Sequence, residues 1–101
     1  MKHKLENSEL VIVCEEDLLS TNIEACISQA KDALSGAADA TKLVVDLNGV
    51  NTVDSQGLNF LVGLYQESRS LDWGFSVTGA SATLVQLFKF VKLDERFGVN
   101  A

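Results

Sequence analysis

The chain has 101 residues, 47% of them hydrophobic and 22% charged. That apolar content can fill a core without disulfides or a structural metal, so one domain spanning residues 1–101 is expected. Fourteen acidic against eight basic residues leave a formal charge of −6, which opposes attraction to nucleic acid and to anionic membranes.

Near the start, Lys2-His3-Lys4 gives way to Glu6, Asn7, Ser8 and Glu9 before any apolar run could act as a secretory signal. No later stretch approaches the roughly 18 to 20 apolar residues of a membrane span. These features point to a cytoplasmic protein without membrane insertion. Residues 9–14, Glu-Leu-Val-Ile-Val-Cys, form a short β-branched run, and residues 2–6 can pair with it through a turn at Asn7-Ser8. An opening hairpin is expected.

Over residues 20–34, Ile23, Cys26, Ile27, Ala30 and Leu34 recur at the three- and four-residue steps of a helix face. Thr21-x-x-Glu24 has the spacing of a capping box, and Gly36 can end the helix in a left-handed conformation. Residues 42–47, Lys-Leu-Val-Val-Asp-Leu, have the continuous apolar centre of a strand covered on both faces. Beyond a connection through residues 48–53, Leu58, Leu61, Val62 and Tyr65 mark a second helix that Asp54 or Ser55 would cap. Gly63 reads as room for packing against the sheet. Residues 74–78 form another strand next to Trp73, which packs at the sheet edge. Ser81 caps a third helix with Leu84, Leu87, Phe88 and Val91 facing inward. The tail from Leu93 to Ala101, with Phe97, has no single reading; with Phe88, Phe90 and Val91 it is mostly core. Alternating strands and helices after a hairpin imply an α/β fold, a mixed sheet of about four strands flanked by helices with right-handed crossovers.

The informative stretch joins the central strand to the second helix, where α/β domains commonly place binding residues. A serine at such a junction can accept a hydrogen bond from an unpaired first-turn N–H, and a surface hydroxyl there also stays accessible to a kinase. Gly57 has two readings, local helix geometry or an opening for another backbone. The sharper chemistries fail on spacing. Val50 and Gly57 stand where a calcium loop needs oxygen ligands. Asp46 and Asp54 fit strand-end hydrogen bonding better than paired catalysis. Ser55 lacks a nucleophile elbow, and His3, the only histidine, lies near the terminus. Cys14 and Cys26 are too few and too far apart for a disulfide framework, a Cys-x-x-Cys pair or zinc spacing, and read as buried inert thiols. Neither a Walker loop nor a Gly-x-Gly-x-x-Gly fingerprint occurs, so no cofactor, metal or enzymatic activity is expected.

The apolar strand ending in Asp46, followed by Gly49-Val50-x-x-Val53-Asp54-Ser55-x-Gly57-Leu58 and an apolar helix, resembles the STAS domains of bacterial anti-sigma-factor antagonists. The resemblance implies that Ser55 is a phosphorylation site supported by Asp54, and that Asp54, Ser55, Gln56, Gly57, Leu58 and Asn59 form the partner surface. It implies as partners a serine kinase that doubles as an anti-sigma factor and a phosphatase that restores the unmodified form. Glu15-Glu16-Asp17 departs from the glycine and acidic residue frequent in that family, and Gln56 and Asn59 replace smaller residues. STAS-like domains also serve as accessory subunits of lipid-transporting ABC systems, which is the alternative function. A ligand sensor is a third, and the oligomeric state is left open.

Overall fold

The computed structural model describes residues 1–100, with the backbone alone for Asp94, Val99 and Asn100; Ala101, the end of the expected domain, lies outside the described residues. Strands β1 (Lys2–Glu6) and β2 (Glu9–Val13) form the expected hairpin. Its two-residue turn places Asn7 at φ 52° and Ser8 at φ 66°, the paired left-handed backbone that matches the twist of antiparallel strands. Helix α1 (Ile23–Ser35), strand β3 (Lys42–Asp46), helix α2 (Ser55–Ser70) and strand β4 (Gly74–Thr78) follow. The tail resolves into α3 (Ala82–Phe90), a short α4 (Asp94–Phe97) and a two-residue strand β5 (Val99–Asn100). The sheet order is β1-β2-β3-β4-β5, parallel from β2 onward, so four five-residue strands carry the sheet and the fifth adds a short edge. The class is α/β, as expected.

Register explains the core. Leu10 pairs with Leu43 and Leu43 with Phe75; Ile12 pairs with Val45 and Val45 with Val77. Leu10, Ile12, Leu43, Val45 and Val77 are buried, whereas the alternate residues Val11, Val13, Val44 and Asp46 are half-buried. Helical crossovers that always advance in one direction stack on one side when each is right-handed. Strand β3 is therefore covered on one face, not two, and the outward Val44 of its apolar run lies between its cross-strand neighbours Val11 and Ser76. Below β4, Phe97 meets Phe88 edge-on at 5.2 Å and Phe75 at 5.7 Å between ring centres. Phe88 and Phe97 are wholly buried, and each contributes about 1.5–3 kcal/mol by leaving water. Phe90 points out.

Two helix ends differ from expectation. The capping box at Thr21 and Glu24 is not used: α1 begins after Asn22, whose side chain accepts from Leu19 N (3.1 Å) and donates to Asp17 O (2.8 Å). The loop before α1 claims the capping position. Gly36 ends α1 with φ −88°, an ordinary conformation, while its N–H reaches back to Asp32 O. Ser81 caps α3 as expected, accepting from Leu84 N at 3.2 Å. Among the described residues no helix is long and apolar enough to cross a membrane.

Candidate functional site

Two loops at the carboxyl ends of β2 and β3, residues 14–22 and 47–54, lie side by side. Leu18 and Val53 form a parallel bridge; Leu18 N donates to Thr52 O (3.1 Å) and Asp54 N to Leu18 O (3.1 Å). Each loop then lends the other a carboxylate. Asp17 Oδ1 accepts from Asn51 N (2.7 Å) and Thr52 N (3.1 Å). In return Asp54 Oδ2 accepts from Ser20 N at 2.8 Å, while its Oδ1 accepts from Gly57 N at 2.9 Å and caps α2. One aspartate thus satisfies a free helix-terminal donor and fastens a loop 34 residues away in sequence. The Gly57 N–H, and next the Ser20 N–H, hold the Asp54 carboxyl below the usual carboxylate range.

Glycine makes this apposition possible at two places. A Cβ on Gly57 would lie 2.1 Å from the Leu18 carbonyl oxygen, and one on Gly49 would lie 2.9 Å from the Cys14 carbonyl oxygen. Expected at a partner surface, Gly57 is instead buried, because the backbone that approaches it is the chain's own.

Asp54, not Ser55, is the cap; Ser55 is the first helical residue, exposed, and among the described residues no hydrogen bond engages its hydroxyl. Gln56 and Asn59 are exposed beside it, while Leu58 is half-buried and packs against the core. Of the six residues expected to form a surface, Ser55, Gln56 and Asn59 therefore present side chains outward. Asp54 and Leu58 support them from below.

The two loops and the first turn of α2 contain no Lys or Arg, but do contain Glu15, Glu16, Asp17 and Asp54. Glu15 is partly engaged by Lys2 at 3.7 Å. Asp46 accepts from the Asn48 backbone N–H and side-chain amide, both at 2.9 Å, an Asx-type strand end. Among the described residues no group of three acidic, histidine or cysteine side chains could hold a metal. Cys14 is buried and its thiol is pushed up to about 12, chiefly by that burial. Asp17 is the site residue that sequence reasoning missed; its only signal was an acidic residue in a loop one strand away.

The Mlab, STAS domain family model matches residues 2–99. No curated protein matches the chain. Among solved structures, a Thermotoga maritima protein described as a candidate anti-sigma factor antagonist superposes with a TM-score of 0.86 at 16% identity, over 97% of this chain and 83% of its own. An anti-sigma factor antagonist from Mycobacterium paratuberculosis gives 0.81 at 21%, over 97% and 81%. The Bacillus cell fate determinant SpoIIAA in its phosphorylated form gives 0.69 at 19%, over 99% and 92%. At these identities the likeness is one of fold.

Proposed function

Since the chain belongs to the STAS domain family, we propose that it acts as an anti-sigma-factor antagonist, a single cytoplasmic domain that regulates transcription indirectly through protein binding and is not itself an enzyme. Ser55 is its phosphorylation switch. The observation that carries this reading is the division of labour at the start of α2: Asp54 makes the cap and the loop contacts, leaving the Ser55 hydroxyl exposed and uncommitted. A phosphate at that hydroxyl adds about −1.5 to −2 charges and three acceptor oxygens. The amino end of a helix tolerates that charge, so the fold survives. With no cation in either loop to hold it, the phosphate faces whatever docks there. A partner surface shaped around a small hydroxyl loses affinity through repulsion and poor desolvation.

Unmodified, the protein binds a serine kinase that is also an anti-sigma factor, through Ser55, Gln56 and Asn59 with Asp54 and Leu58 beneath; phosphorylation releases it and a phosphatase resets it. A loss of about 3 kcal/mol lowers affinity more than a hundredfold. That a structural relative has been solved in phosphorylated form supports the reading.

A pull-down from the source cells followed by phosphosite mass spectrometry names partner and site together. Expected are phosphate on Ser55 alone and, for Ser55→Asp, a complex weakened at least a hundredfold with Tm nearly unchanged. Phosphate on another residue overturns the site. A second reading, an accessory subunit of a lipid-transporting ABC system, draws on the exposed amides of Gln56 and Asn59, which offer contacts that need no phosphate. In that case Ser55→Ala impairs assembly with an ATPase and no kinase is involved.

A further inference from the structure

Between α1 and α2 an open groove of about 670 Å³ runs along both helices. Three of its features bear on what it could hold. Ile27 and Leu71 line it and are 38% and 43% exposed, two of the four large apolar side chains left exposed among the described residues. Gly63 sits mid-helix, where glycine weakens a helix relative to alanine, yet a methyl added there meets nothing within 4 Å and its φ is not positive. The expected packing of Gly63 against the sheet is not found; it faces the groove. Finally, Lys31 lines the α1 wall and Glu67 the α2 wall, and neither forms an ion pair among the described residues.

We propose that this groove is a dimerisation face and that its occupant is a second copy of the chain. Each helix crosses between parallel neighbours, β2 to β3 and β3 to β4, so α1 and α2 run in the same direction. A two-fold axis along the groove therefore lays α1 of one copy over α2 of the other, both still parallel. The lining residues include positions 23, 27, 31 and 35 of α1, and 59, 63 and 67 of α2 with Leu71 just past its end, two ladders with a rung every turn.

Setting Lys31 against Glu67 of the partner subunit fixes the remaining rungs. One turn earlier, Ile27 comes over Gly63 of the partner subunit, an exposed knob above a vacant hole. One turn later, Ser35 and its neighbour Leu34 come beside Leu71 of the partner subunit. In that register the face is complementary to itself in charge and in shape, which is what a two-fold contact requires. It is also small. Helices of 13 and 16 residues side by side present a face roughly 20 Å on each edge, and stable complexes cover about 800 Å² per partner. The dimer is accordingly weak. It stands on the groove alone and does not use Ser55.

Sedimentation velocity of the full chain from about 1 to 500 μM tests the proposal. The expected result is reversible dimerisation in which Lys31→Glu and Glu67→Lys each weaken association by about tenfold, since each creates two like-charge contacts per dimer. The combined charge swap restores it to within about threefold. Gly63→Leu fills the hole while raising helix propensity, and abolishes the dimer without lowering Tm. A chain that stays monomeric throughout overturns the proposal and leaves the groove to another protein's helix. Dimerisation that ignores Gly63→Leu, or that the charge swap fails to restore, overturns it too.

Discussion

Helix α2 carries two glycines six residues apart in opposite surroundings. At Gly57 an added methyl would strike the Leu18 carbonyl oxygen at 2.1 Å; at Gly63 it would touch nothing within 4 Å. The first turn of the helix is built against its own chain, through Leu18, Asp54 and Ser20, and the middle of the helix is left open along the groove. One residue type thus serves a closed contact and a vacant one, and only the neighbours tell them apart. The closed end is held by backbone and carboxylate contacts from both loops. The open stretch leaves the Gly63 face uncovered along the groove.

The largest effect expected from this contrast is at Gly57. Gly57→Ala drives a Cβ into backbone that cannot yield without parting the two loops, and costs about 3 kcal/mol or more. Thermal unfolding is expected to show Tm lower by more than about 10 °C; a near-neutral result would break the comparison.

Asp54→Asn comes next, because an amide keeps only one acceptor oxygen for the Gly57 and Ser20 N–H groups. Tm falls by several degrees at neutral pH. Since the folded carboxyl is held below its ordinary value of 3.8, the stability it supplies is complete above that value and is lost as pH falls through the lower folded one. The variant's stability, followed by urea unfolding, is therefore expected to depend less on pH below about 4 than the parent's.

At Gly63 the sign reverses. Gly63→Ala is expected to stabilise the monomer by about 0.5–1 kcal/mol, measured by urea unfolding at a concentration too low for association. A loss of stability there would mean that the site is occupied from within. Smallest is Ser55→Ala, expected to change stability by less than about 0.5 kcal/mol, because the cap belongs to Asp54.

The order of elements was legible because local patterns carried it: alternation in the strands, three- and four-residue steps in the helices, Ser81 ahead of an apolar run. The inner faces were read less well. Ala33, Phe60 and Leu64 are buried while Ile27, counted as inward, is exposed, because helix periodicity finds a stripe but not which edge of it meets the sheet. Asp54 and Ser55 were both named for the cap, and choosing between them needed Ser20, which is brought to Asp54 by the pairing of Leu18 with Val53. The role of Asp17, seen only as part of the Glu15-Glu16-Asp17 departure, was hidden for the same reason: the N–H groups that donate to it, those of Asn51 and Thr52, are 34 and 35 residues away. Contacts that span a crossover leave no period in the chain.

The exchange of carboxylates between the loops also sets a tempo. The amides of Ser20, Asn51, Thr52 and Gly57 all end on Asp17 or Asp54, and releasing either loop means parting the Leu18–Val53 bridge between them. In deuterated water these four amides should therefore exchange as one cooperative group, slower than exposed loop amides elsewhere. Two short loops that look independent along the chain would open and close as a single hinge.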